Sequence, residues 1–221
     1  MSMGIGARGK RLAAMSILLT LSGMASADNL VVNGDFSAGN SGFTSGYQYA
    51  SPMYWQPTHY STGALVFADH TGSDVDSLLM VDGAYNATTV VWQETFSVAP
   101  NTDYQFDAWA RSVMRGAGPV ITLDFTANGA SLGTLTLTNY PDDLWQSFSS
   151  VWNSGASTSL TLRVFDLQTN NSVPGNDFAL DDISLSPVPE TDTWAMFLAG
   201  LGVIGLVAAR GRPHFGADRL G

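Results

Sequence analysis

Cysteine is absent, lysine occurs once, at Lys10, and charged residues make up only 13% of the 221-residue chain. Without cysteine there is no disulfide framework, no thiolate metal centre and no cysteine nucleophile. Positive charge is scarce, with nine Lys and Arg against nineteen Asp and Glu. That shortage excludes a general nucleic-acid binder, which neutralises phosphates with clustered basic side chains. Forty-five per cent hydrophobic residues and 11% aromatics exclude a disordered solvating chain, and twenty-three glycines are far too few for a collagen-like fibre.

The few charges divide the chain into three. Arg8, Lys10 and Arg11 precede the apolar run Leu12 to Leu21 and then Ala25-Ser26-Ala27. Basic, apolar and small residues in that order mark a secretory signal peptide, cleaved between Ala27 and Asp28. The run is shorter than the roughly 20 residues that span a bilayer, which argues against an uncleaved anchor. A second apolar segment runs from Trp194 to Ala209 and ends at Arg210 and Arg212. As a helix it rises about 24 Å against a ~30 Å hydrocarbon core, a marginal transmembrane span. Trp194 at one end and arginines at the other orient it with residues 28–193 outside the cytoplasm. A buried core helix fits less well, because the segment has no polar face and carries Gly200, Gly202 and Gly205.

Ahead of that segment stands Val188-Pro189-Glu190-Thr191, and behind it Arg210-Gly211-Arg212. Together these parts resemble the PEP-CTERM sorting signal of Gram-negative bacteria. They depart from it where Thr191 replaces the second proline, where Gly211 interrupts the basic cluster, and in a further tail from Pro213 to Gly221. The resemblance implies export, recognition by an exosortase-type processing enzyme, cleavage near Pro189-Glu190, and transient residence in the inner membrane. Delivery to the envelope surface or an exopolysaccharide matrix would follow. The organisation is then a signal peptide at 1–27, a folded domain at 28–187, and a sorting signal at 188–221 with its apolar helix at 194–209.

The middle region carries three arginines, Arg111, Arg115 and Arg163, against sixteen acidic side chains. Such a surface repels anionic polymers and favours neutral or cation-bridged partners. Its apolar residues alternate with period two in short runs bounded by Gly, Asn, Asp and Ser, the pattern of an all-β chain. From Tyr104 to Arg111 one face holds Tyr104, Phe106, Ala108 and Ala110, and the other Gln105, Asp107, Trp109 and Arg111. Ile121, Leu123 and Phe125 share a face, as do Leu160, Leu162 and Val164. Asn128-Gly129 between two such runs predicts a tight hairpin, since both central residues must take positive φ. About ten strands at this spacing predict a two-sheet antiparallel sandwich or jelly roll.

Three stretches within 28–187 carry a second resemblance: the opening Asn29 to Phe36, the central Phe96 to Arg111 and the closing Gly175 to Leu185. In that order they are similar to galactose-binding-like jelly rolls, especially exported carbohydrate-binding modules. The opening stretch looks like that family's first strand. Asp181 and Asp182 fall inside the last one, where Asp is disfavoured. Parity puts Asp181 beside Ile183 and Leu185, facing buried territory, and a buried unpaired carboxylate is costly. A hard cation would remove that cost, and the resemblance implies a structural calcium between first and last strands; the candidate ligand is Asp181, with Asp35 or carbonyls near it as companions. The alternative is that Asp181 accepts backbone amides and Asp182 is solvated. Asp69 and His70, near Asp74 and Asp76, make a weaker metal candidate that turn chemistry explains as well.

Sugar rings are recognised by aromatic faces and by side chains that satisfy hydroxyls. Two clusters qualify. One is the stretch Phe43 to Tyr60, with Tyr49, Tyr54, Trp55 and His59; the other is Trp109 with Arg111, and with Arg163 on the polar parity of its own strand. Packing of these aromatics onto the sandwich is the plainer explanation for each. Catalysis is not expected, since His59 and His70 are the middle region's only histidines and neither lies in a nucleophile motif. Glu94, on the parity of Phe96, reads as a bulge or a buried hydrogen bond. The sequence thus predicts an exported, non-catalytic polysaccharide-binding protein; the alternative is a structural or adhesive matrix protein without a defined sugar site.

Overall fold

The structure, a computed structural model, describes residues 27–50, 59–63, 68–72, 76–113, 120–138, 144–168, 176–189 and 191–210. Within these the chain forms ten strands and one helix: β1 (Gln48–Tyr49), β2 (His59–Gly63), β3 (Leu78–Val81), β4 (Val90–Ser97), β5 (Asp103–Ser112), β6 (Ile121–Ala127), β7 (Ala130–Leu137), β8 (Gln146–Asn153), β9 (Ser159–Asp166), β10 (Phe178–Pro187) and α1 (Thr191–Arg210). The strands make two layers, a six-stranded sheet in the order β1-β2-β3-β10-β5-β8 and a four-stranded sheet in the order β4-β9-β6-β7. This is a jelly-roll sandwich. Pairing is antiparallel except at one edge, where β1 runs parallel to β2.

The period-two pattern places the core. Tyr104, Phe106, Ala108 and Ala110 of β5 are buried, while Gln105, Asp107, Trp109 and Arg111 are half-buried on the outer face. Across the gap, Phe125 of β6 stacks on Phe148 of β8 with ring centroids 4.1 Å apart, and Phe106 lies 5.8 Å from Phe125. These rings join the two layers. The expected hairpin forms between β6 and β7: Asn128 takes φ 50° and Gly129 φ 85°, which lets the turn follow the twist of its strands.

Two expectations for the closing and opening strands are corrected. In β10 the register against β5 shifts between Asp181 and Ser184, and Asp182 takes φ 45°. This bulge adds one residue and reverses the parity. Leu180, Ile183 and Leu185 face the core, whereas Asp181 pairs with Trp109 and shares its outer side. The opening stretch is not a strand. Residues 29–34 lie beside β10 through Leu30 N–H to Leu185 O at 2.8 Å and Ile183 N–H to Gly34 O at 3.0 Å. The chain then turns, with Asn33 and Phe36 at positive φ and the Asn33 side chain bonding Gly39, Ser41 and Ala38. Gly34 is demanded by proximity, because a Cβ there would lie 2.0 Å from Ile183 O.

Beyond β10, Val188 N–H reaches Asp103 O at 2.8 Å, and Val188 and Pro189 are exposed. Glu190, Arg212 and the signal-peptide residue Ala25 lie outside the described residues, while Ala27 is the first residue described. Helix α1 starts three residues earlier than the apolar segment and ends at the exposed Arg210. Among the described residues no helix is long and apolar enough to cross a membrane. Sixteen apolar residues rise only about 24 Å. Phe197, Leu198, Val203, Ile204, Leu206 and Val207 are each at least half exposed.

Candidate functional site

The outer face of the six-stranded sheet is built in cross-strand rows. Ser184 of β10, Asp107 of β5 and Ser149 of β8 form one row. Asp181, Trp109 and Ser147 form the next. Side chains directly opposite on one face lie about 4.5–5.5 Å apart, so each row is a continuous strip. The N-terminal segment, held beside β10 at the bulge, contributes Asn29, Asn33 and Asp35 along one wall. Between wall and strips lies an open groove of about 750 Å³. Its surface is mostly amide, hydroxyl and carboxylate, with Trp109 as its aromatic member.

Loop residues 68–72 fold over the bulge at the end of this groove. The His70 ring stacks on Trp109, centroids 3.7 Å apart and planes 19° from parallel, and meets Trp145 edge-on at 6.1 Å. His70 Nδ1 lies 2.6 Å from Asp182 Oδ2, and the His70 backbone N–H donates to Asp181 Oδ2 at 2.9 Å. Trp145 Nε1 donates to Ala68 O, and the Arg111 guanidinium sits 5.8 Å from the Trp145 ring. Asp181, 1% exposed, also accepts the Asp182 N–H at 2.8 Å. Burial pushes its carboxyl up to about 7, although the two amides pull the other way. On the groove floor, Gln105 Nε2 bridges Asp107 Oδ1 at 3.1 Å and Ser149 Oγ at 2.7 Å.

The cation candidates are Asp181 and Asp35. Asp181 is an acceptor for two backbone amides, and Asp35 Oδ1 accepts from Ser37 N–H and Oγ–H. Among the described residues no group of three or more His, Asp or Glu is positioned to hold a metal. Calcium takes six to eight oxygens, and these two carboxylates do not make that shell on their own.

Of the sugar-contact candidates, Trp109 lines the groove and Arg111 stands one residue pair beyond it, over Trp145. Tyr54 and Trp55 lie outside the described residues. Tyr49 is exposed at the sheet edge, its ring 5.5 Å from Tyr60, which packs in turn on Phe43. Tyr47 is buried and its hydroxyl accepts the Ala84 N–H. The described loop aromatics therefore pin the long connection to the sandwich. Arg163 is not beside Trp109: β9 belongs to the other sheet, where Arg163 Nε donates to Gln93 Oε1 at 2.5 Å. Similar polar parity on two strands does not make them neighbours.

Trp145, Ser147, Ser149, Asn29 and Asn33 are not among the sequence candidates, and His70 is one only for a metal and not for the groove. The alternation of Ser147, Phe148 and Ser149 in β8 is the signal that marks a polar strip. His70 carries no such signal, since its partner Asp182 lies 112 residues away.

Neither a protein-family model nor a curated protein sequence matches the chain. Solved structures do. The CBM22-1 xylan-binding domain from Paenibacillus barcinonensis Xyn10C matches with a TM-score of 0.50 and 14% identity, covering 75% of this chain and 97% of that one. A Stig cyclase, Fisc, from Fischerella sp. TAU matches with a TM-score of 0.51 and 14% identity, covering 74% and 99%. The fold is that of a carbohydrate-binding-module-like jelly roll. At this identity the likeness speaks for the fold alone, and the same fold carries both a binding domain and a cyclase.

Proposed function

We propose that this chain is an exported, non-catalytic carbohydrate-binding protein whose sugar site is the groove over β10, β5 and β8. The observation that carries the reading is the groove's composition, an indole beside paired strips of Ser, Asp and Asn. Hydroxyl-rich ligands need many short-range donors and acceptors together with one flat apolar surface. The likeness of the whole sandwich to a xylan-binding domain supports it. The segment order at 1–27, and the Val188-Pro189-Glu190 element followed by α1, support export and exosortase-type sorting to the surface or matrix of a Gram-negative bacterium. The fold likeness to a cyclase transfers no reacting group to this chain.

A second reading, a structural or adhesive matrix protein without a sugar site, is favoured by one observation: His70 already covers one face of Trp109. Affinity electrophoresis of the purified protein in gels containing neutral polysaccharides separates the two. Retardation lost on Trp109→Ala, in a protein that still unfolds in one cooperative transition, supports the groove. Retardation that is the same with every gel matrix and survives Trp109→Ala supports the matrix reading. Intact mass of the natively expressed protein tests export, because retention of residues 1–27 and of residues 190–221 overturns both processing steps.

A further inference from the structure

The groove's charge is one-sided. Asp35, Asp107 and Asp182 line it and, among the described residues, no Lys or Arg does. His70 bonds Asp182 from outside the lining, and Arg111 is turned over Trp145. Asp107 lines the groove and, among the described residues, receives a single side-chain hydrogen bond, from Gln105 to Oδ1. The surrounding domain adds to the bias, with sixteen acidic side chains against three arginines in 28–187.

From this charge pattern we infer that the groove takes a glycan bearing protonated amines, a polymer of amino sugars, and rejects uronate-containing polysaccharides. The inference rests on the groove being the sugar site. A carboxylate accepts a charge-assisted hydrogen bond from an ammonium at short range, roughly twice as strong as one from a hydroxyl. A uronate would set its own carboxylate against Asp107 and Asp35 in a partly enclosed space, where like charges repel more strongly than in bulk water. The indole offers a face that suits both the sugar ring and a nearby cation.

The test is calorimetric titration of the full chain at mildly acid pH with three oligosaccharides of equal length: β-1,4-linked glucosamine, its N-acetylated form, and galacturonate. The expected result is about tenfold or greater preference for the amine form over the acetylated one, no binding of galacturonate, and loss of the preference in Asp107→Asn. Asp35→Asn, at the groove wall, reduces it independently. Equal affinity for amine and acetylated forms, both abolished by Trp109→Ala, overturns the inference and leaves the sugar site standing. A preference untouched by Asp107→Asn, Asp35→Asn and Trp109→Ala is association with the acidic surface at large and also overturns it. Failure of all neutral and amine oligosaccharides to bind overturns inference and site together.

Discussion

The imidazole of His70 lies flat on the indole of Trp109 while its Nδ1 sits 2.6 Å from Asp182 Oδ2, so one side chain ties the 68–72 loop to both β5 and β10. Aromatic stacking of this kind contributes ~0.5–1.5 kcal/mol beyond burial, and a hydrogen bond to a carboxylate about 1.5–3 kcal/mol in favourable cases. Asp182 and His70 are partly exposed, with 30% and 24% of their side chains accessible, which puts this pair at the low end. His70→Ala therefore lowers stability by about 1–2 kcal/mol. It also exposes the second face of Trp109, so the tryptophan emission shifts to longer wavelength. Urea denaturation and intrinsic fluorescence together check this; an unshifted spectrum would mean that the stack does not persist in solution.

Buried carboxyls give the second prediction. Burial pushes Asp181 and Asp177 up to about 7 and Asp166 up to about 6; a hydrogen bond and repulsion from Asp82 add to the shift at Asp177. Carboxyls in the unfolded chain titrate near ~4. The folded state thus holds protons that the unfolded state has released. The associated stability is present in full below ~4 and is lost as pH rises through about 6 to 7. The urea midpoint at pH 8 is expected to lie below that at pH 5, and Asp177→Asn to flatten the difference. A midpoint that rises between those pH values would refute it.

Gly34 supplies the third. With Ile183 O 2.0 Å from where a Cβ would stand, Gly34→Ala forces residues 29–35 away from β10. The loss is about 2 kcal/mol or more, typical of strain at a tightly packed backbone contact. The groove loses the wall formed by Asn29, Asn33 and Asp35, so sugar affinity falls with it. Gly129→Ala serves as the contrast: φ there is +85° but nothing lies within 4 Å. It costs roughly 1 kcal/mol from backbone strain and leaves affinity unchanged.

Glu94 is the fourth. Its two oxygens accept the Val32 N–H at 3.2 and 3.4 Å, joining β4 to the N-terminal segment, and burial pushes the carboxyl up to about 7. Glu94→Ala removes the acceptor, and amide exchange at Val32 is expected to accelerate by about tenfold or more. Glu94→Gln keeps an acceptor oxygen and most of the protection. Equal exchange in all three proteins would remove Glu94 from this role.

These cases show why some features were legible in the sequence. The alternation in β5, the faces of β6 and β9, and the Asn128-Gly129 hairpin are set by residues within one or two turns of each other, where sterics and period-two burial act directly. Glu94 does form a hydrogen bond, to Val32 N–H, but the bond is exposed and Glu94 only half-buried, so parity alone overstates its burial. The side on which Asp181 lies was not legible, because one inserted residue at Asp182 turns every later side chain over, and nothing local marks the insertion. The wrapping of residues 29–35, and His70 over Trp109, are contacts between segments far apart in the chain. Only the assembled sheet brings them together.

The placement of Arg163 yields the last prediction, because it decides which sheet reads the ligand. Arg163 and Gln93 join β9 to β4 on the outer side of the four-stranded sheet, while Ser149 lies on β8 of the other, bonded through Gln105 to Asp107. Arg163→Ala removes one side-chain bond between neighbouring strands and lowers stability by about 1 kcal/mol, with sugar affinity unchanged. Ser149→Ala frees Gln105 and unsettles the Asp107 carboxylate at the groove floor, so affinity falls several-fold while the melting profile stays close to that of the parent. Retardation in polysaccharide gels, run on both variants beside thermal melting, reads the two effects separately. The reverse outcome, affinity lost with Arg163 and kept without Ser149, would move the site to the face of β4, β9, β6 and β7.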